Sequence, residues 1–218
     1  IRLSNPGDVT FEANEVYGNS AGIQVYNNVS DTTAIIGSED LALNRGNKVY
    51  NNTDTGITAS ANVLVAGNTV YGHGGSYDAG ISITGGTARY NVVYGNTTGI
   101  RAYNNSLVEQ NRIYDNTAQG IYAQYNNDII GNVIYSNSIG VDLYLQLDSS
   151  QIRNNLIYDN STQQIFARSS AAQIINNTIV HPGGASGDAL RIQSNSHDVE
   201  LRNNIFWVES RHAISVGS

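Results

Sequence analysis

Apolar residues recur along the chain in short groups spaced two apart, and the groups themselves return about every 22 residues. Each period holds three. The first row runs Phe11, Val65, Ala88, Val108, Ile129, Ile152, Ile174 and Leu201, with Asn44 breaking it in the second period. The second row is Val16, Val49, Val70, Val93, Ile113, Ile134, Ile157, Ile179 and Phe206. The third is Ile23, Ile57, Ile81, Ile100, Ile121, Val141, Ile165, Leu190 and Ile214, echoed two residues on by Val25, Ala59, Ile83, Ala102, Ala123, Leu143, Ala167, Ile192 and Val216. Alternation of period two turns these residues inward and their neighbours outward along β-strands. The runs are too short for amphipathic helices, so three short strands are predicted per period.

Polar residues keep the same beat. The motif Asn-x-(Val/Ile)-Tyr-x-Asn, complete in six repeats and degenerate in three, has its first Asn at Asn14, Asn47, Asn68, Asn91, Asn111, Asn132, Asn155, Asn177 and Asn204, in steps of 33, 21, 23, 20, 21, 23, 22 and 27. Such self-similarity marks a solenoid whose repeats rest on their neighbours. Stacked coils would rise by about 4.8 Å, close enough for an Asn amide to bond its copies above and below. The second Asn row is Asn19, Asn52, Asn96, Asn116, Asn137 and Asn160, with His73 replacing it in the third coil. Asn also tolerates the left-handed backbone of sharp corners. Tyr17, Tyr50, Tyr71, Tyr94, Tyr114, Tyr135 and Tyr158, closing with Trp207, form a further row. A corner stack of rings with hydroxyls toward water accounts for it, and a platform for sugar rings is the sharper alternative.

These rows predict an all-β chain: a right-handed parallel β-helix of about nine coils, with three short strands per coil. The pattern resembles the parallel β-helix repeat of the pectate-lyase-like superfamily, particularly its carbohydrate-binding and sugar-hydrolase repeats, over essentially the whole chain. The resemblance implies a fold more than an activity, because lyases, epimerases, hydrolases, adhesins and non-enzymatic scaffolds share it.

Composition agrees. The 29 Asn and 22 Gly suit turns rather than helix interiors, and 40% hydrophobic residues suit a packed core. The net charge of −7 comes without a basic stripe, which argues against nucleic acid. With no Cys there is no disulfide or thiolate chemistry, and no apolar run reaches membrane-spanning length. No signal peptide opens the chain. Ile1-Arg2-Leu3 aligns with Ile100-Arg101-Ala102, so the chain is expected to begin and end in the third strand of a coil. Neither end reads as a capping helix. Residues 1–218 are therefore expected to be a single domain cut from a longer β-helix, whose uncapped ends invite end-to-end self-association.

Candidate chemistry lies where the repeat departs from itself. The segment Asp31 to Gly46, with Ser38-Glu39-Asp40, is expected to project as a loop. Two Gly-rich insertions, Gly72 to Asp78 and His181 to Asp188, fall at the same corner in the third and eighth coils. Between them the outward positions of the third strand read Arg101 and Tyr103, Tyr122 and Gln124, Asp142 and Tyr144, Phe166 and Arg168, then Arg191. Aromatic rings stack on sugar faces and guanidinium forks grip carboxylates, so coils four to seven are a candidate glycan-binding face walled by the two loops. Cross-strand packing favours Tyr and Arg on any outer sheet face and is the ordinary explanation.

Catalytic signals are thin. Asp142 stands alone, whereas a lyase or epimerase needs a neutraliser for the uronate carboxylate and a base. Asp115 and Asp159 share a row with Ser136 between them, their backbones about 9.6 Å apart. That is near the upper limit for an inverting carboxylate pair, and repeat drift explains them equally. His73, His181, His197 and His212 lack metal-ligand spacing, so no transition-metal site and no cofactor is expected. His73, Tyr77 and Asp78 form one compact polar cluster able to offer a proton donor or a Ca²⁺ ligand, or to be incidental in a flexible loop. The reading that follows is a non-catalytic module of a large secreted or cell-surface protein that binds polysaccharide. The alternative is a polysaccharide lyase, epimerase or glycoside hydrolase of this superfamily.

Overall fold

The computed structural model describes residues 1–146 and 150–217. Twenty-eight short strands wind into three parallel sheets, one of ten strands and two of nine. Every third strand joins the same sheet, which makes the predicted right-handed parallel β-helix. We call the sheets A, B and C. Sheet A begins with Arg2–Ser4, Ile23–Asn27 and Ile57–Ala61 and ends with Ile214–Gly217. Sheet B runs from Val9–Phe11 to Glu200–Arg202, and sheet C from Glu15–Tyr17 to Ile205–Val208. One sheet A strand is thus followed by nine B–C–A coils.

Register follows the repeat. Ile81 pairs with Ile57 and Ile100, and Ile121 with Ile100 and Val141, so each inward row becomes a continuous apolar column. These side chains are fully buried from Ile23 to Leu190, and the columns open at both ends: Phe11 and Val16 are half-buried in the first coil, and Ile214 and Val216 are exposed in the last. The first row is not broken in the second coil. Ile36 of Ala34–Gly37 stands between Phe11 and Val65, and the inserted residues follow that strand instead of replacing it. The insertion is also no free projection. Asp40 caps a 3₁₀ turn at Leu41–Leu43 by accepting from the Ala42 amide at 3.0 Å, and Glu39 pairs with Arg89 on the neighbouring sheet B surface.

Each corner of sheet C divides its work between two residues. The first ladder position is preceded by a left-handed residue in eight of nine coils: Ala13, Gly67, Tyr90, Gln110, Gly131, Asn154, Asn176 and Asn203. The second is preceded by Gly18, Asn51, Gly72, Gly95, Asp115, Ser136 and Asp159, again left-handed. The ladder Asn residues themselves do not take that conformation; the turn is made one residue earlier.

The ladders are continuous. From Asn14 to Asn204 every Nδ2 donates to the next Oδ1 at 2.9–3.1 Å. The same oxygen accepts the backbone N–H of the Asn below. Each amide therefore closes a three-coil contact inside the wall. A shorter third ladder, missed in the sequence, lies between sheets A and B: Gly85 donates to Ser106, Ser106 to Asn127 and Asn127 to Gln146. Its residues differ in type, so no single-letter repeat announces it.

Candidate functional site

The outward face of sheet A separates this molecule into two characters. In coils two and three it is small and polar: Thr58, Ser60, Ser82 and Thr84. From coil four onward it carries rings and guanidinium groups. One row runs Arg101, Tyr122, Asp142, Phe166, Arg191 across adjacent strands, and the other runs Tyr103, Gln124, Tyr144, Arg168. Among the described residues, the strands of this face hold Arg2, Arg101, Arg168 and Arg191 against one carboxylate, Asp142, in a chain of net charge −7.

Two sequence expectations change here. Asp142, expected as a ligand-facing carboxylate, is only 2% exposed. Arg168 reaches over from the next strand and clamps it with two bonds, Nε to Oδ1 at 2.9 Å and Nη2 to Oδ2 at 2.8 Å. Burial pushes the Asp142 carboxyl up despite the opposing Arg168 charge. The pair is mutually neutralised, so Arg168 is also committed; its guanidinium lies over Tyr144 and Phe166 at 5.1 and 5.4 Å. Arg191 keeps its freedom. It sits over Phe166 at 5.7 Å and makes no hydrogen bond or ion pair among the described residues.

The rings are arranged for two different purposes. On sheet C, Tyr17 through Tyr158 stack face on face, centroids 4.9–5.0 Å apart and planes within 4–12°. Between the two ends of the stack the faces are used by each other, which leaves only edges and hydroxyls to a ligand. Val180 separates Tyr158 from Trp207, so Trp207 does not close the stack. On sheet A, Tyr103 and Tyr122 meet edge to face at 6.1 Å and 61°, an arrangement that leaves ring surface uncovered.

One of the two expected walls is in place. The Gly72–Asp78 loop leans over the face, where Arg101 donates to the Tyr77 carbonyl and to Thr98 Oγ1 at 3.4 Å. Tyr77, Arg101, Tyr103, Gln119 and Tyr122 then line a concavity of about 260 Å³. Gln119 was not picked out from the sequence because the strands Thr98–Tyr103 and Gln119–Gln124 start two residues before the apolar row that marks them. The second loop has its contacts elsewhere: Ser186 and Gly187 bond the Ser161 and Thr162 carbonyls, and Gly183 bonds Glu209. It stays with the corner.

His73 and Tyr77 of the expected polar cluster lie in opposite environments. His73 is completely buried and Tyr77 is 84% exposed. The imidazole is a rung of the second ladder: Nε2 accepts from Asn52 Nδ2 at 3.2 Å, and Nδ1–H donates to Asn96 Oδ1 at 2.9 Å. Asn52 already uses its oxygen to accept from Asn19, which fixes the direction. Burial holds the His73 ring below its usual pKa. A protonated ring would set N–H against N–H. Because the folded pKa lies below the unfolded one, this stability is complete above about pH 6.5 and is lost as pH falls, by up to about 1.4 kcal/mol per pH unit. His73→Asn restores the common rung and is expected to remove that slope. Urea unfolding of both proteins on either side of pH 6.5 measures it, and parallel pH profiles would refute it.

The acidic pair Asp115 and Asp159, with Ser136 between them, sits at the sheet C corners. Asp115, Ser136 and Asp159 each take the left-handed corner position, with φ of 53°, 54° and 54°, a conformation Asp tolerates better than most residues. Among the described residues, no three His, Asp or Glu side chains converge on a common metal position. No helix among them is long and apolar enough to cross a membrane.

Comparison with known proteins bears on the fold. The sequence pattern described as "Right handed beta helix region" matches residues 79–218. No curated protein matches the sequence. Among solved structures, a mutant of the periplasmic alginate epimerase AlgG is similar with a TM-score of 0.54 and 18% identity, covering 94% of this chain and 61% of that one. The A-module of the Azotobacter vinelandii mannuronan C-5 epimerase AlgE4 is similar with a TM-score of 0.47 and 16% identity, covering 93% of this chain and 65% of that one. This chain spans less than two thirds of either enzyme.

Proposed function

Because the chain belongs to the right-handed β-helix family, we propose that it is a non-catalytic module of a secreted or cell-surface protein, binding an extended polysaccharide along sheet A over coils four to eight. The observation that carries this reading is the concentration of rings and arginines on one sheet of an otherwise acidic molecule. Tyr103, Tyr122, Tyr144 and Phe166 place one ring in each of four successive coils, alternating between two outward rows that run along the solenoid axis. A long ligand would lie along that axis. A polysaccharide is also what the alginate epimerase of similar fold is named for. The single carboxylate on the face is buried in an ion pair, so the strip offers apolar contact and charge but no exposed acid–base pair.

Removing two of the rings tests the reading. The double variant Tyr122→Ala/Tyr144→Ala is expected to weaken polysaccharide binding by at least about tenfold, equivalent to ~1.4 kcal/mol. Affinity electrophoresis in polysaccharide gels reads the effect directly. Unchanged retardation, or none with the wild type, would reject the binding site. Ultraviolet-absorbing unsaturated sugars appearing in the wild-type incubation would instead reject the non-catalytic role.

A further inference from the structure

If this face binds polysaccharide as proposed above, the placement of its charges says which kind. Within coils four to eight, the arginines able to meet a ligand charge are Arg101, with part of its guanidinium still unbonded, and Arg191. They occupy the same outward row, with Tyr122, Asp142 and Phe166 between them. Four strand spacings separate their backbones, about 19 Å. Everything between is electrically silent: Asp142 and Arg168 cancel, and the other residues are rings and Gln124.

A sugar unit in an extended chain advances by a distance comparable to one strand spacing. A polymer with a carboxylate on every unit would therefore set one charge over each coil. Its middle carboxylates would lie on ring surface or above the Asp142–Arg168 pair, losing water without gaining a partner, which is costly. A polymer with one carboxylate in about four units would meet Arg101 and Arg191 and stack its neutral units on the rings. The geometry points to a sparsely anionic heteropolysaccharide, one acidic sugar per repeat of about four, as the ligand class of the sheet A face.

Calorimetric titration of the full chain at near-physiological salt can separate the cases. Three probes suffice: deacylated gellan, with one uronate per tetrasaccharide repeat, polygalacturonate, with one on every unit, and a neutral linear glucan. Gellan is expected to bind at least about tenfold tighter than either of the others. Its salt dependence should correspond to about two released counterions, by the reasoning used for other polyanions. Arg191→Gln, at an exposed position, is expected to lower affinity several-fold and remove about one of those counterions. Polygalacturonate binding as tightly, with a steep salt slope, would overturn the inference and leave the binding face standing. Equal binding of the glucan, or an unchanged slope in the variant, would overturn it too. Failure of all three polymers to bind would overturn the binding face along with it.

Discussion

Asn111→Ala is expected to destabilise the fold by about 4 kcal/mol, a large effect for a substitution that removes so few atoms. Asn111 lies mid-chain and is 2% exposed. Its Oδ1 accepts both the backbone N–H and the Nδ2 of Asn91, at 3.0 and 2.9 Å. Its Nδ2 donates to Asn132 Oδ1 at 3.0 Å and to the Ala88 carbonyl at 2.9 Å. Alanine leaves buried donors on one side and buried acceptors on the other. Each unsatisfied group costs about 1–3 kcal/mol, partly offset if water enters. Asn204→Ala, at the half-buried end of the same ladder, is expected to cost about 1 kcal/mol, because solvent can replace the amide. Urea unfolding followed by circular dichroism gives both values. A loss below 1 kcal/mol for Asn111→Ala would show that the ladder contributes little beyond its backbone pairing.

The same ladder explains why so much of the fold can be read directly from the residues. A stacked side chain bonds its own copies above and below, so the chemistry of one coil is imposed on the next and the sequence tends to repeat. Asn14 to Asn204, the Ile and Val columns and the tyrosine stack all obey this rule and are legible as rows. Departures are harder. Ile36 was displaced from its expected spacing by an insertion placed after its strand, and Asn44 took its place in the count. The third ladder mixes Ser, Asn and Gln, which share hydrogen-bonding roles but no letter.

The face on sheet A was legible in position but not in state. Period two places Asp142 outward, and a charged residue facing out is normally taken as solvated. What spacing cannot show is that Arg168, one strand on in the adjacent outward row, folds across it and closes it off. His73 is the converse case. Its place in the Asn row marked it as a rung, whereas its neighbours in the Gly-rich loop suggested chemistry; burial and the two flanking amides decide for the rung.

The glycine that precedes the third-strand apolar residue in coils one to six is a harder constraint than its Cβ-free side chain suggests. Gly120→Ala is expected to cost about 3 kcal/mol, the upper part of the range for overpacked sites. A Cβ there would lie 2.8 Å from the Gly140 carbonyl oxygen, 2.8 Å from Asn137 Nδ2 and 2.8 Å from Ile134 Cγ2. All three belong to the coil above, and parallel pairing of Gln119 with Ile139 and Ile121 with Val141 prevents that coil from moving away. Gly74→Ala, with nothing within 4 Å, is the control and is expected to change stability by less than about 0.5 kcal/mol. The seventh coil shows why the rule is about the ladder and not about turns. There Gln164 takes the glycine's place, and the coil above has no Asn to fill the next rung. The Gln164 side chain enters that seat itself: its Oε1 accepts from the Asn160 N–H and Nδ2 at 3.2 and 2.6 Å, and its Nε2 donates to His181 Nδ1 at 3.0 Å. The Gln164 and Ile165 amides both donate to the Ala189 carbonyl, while Ile165 keeps its pairing with Val141 and Leu190. Glycine is therefore required where the next coil supplies its own amide, and equal stability of Gly120→Ala and wild type in urea would disprove that dependence.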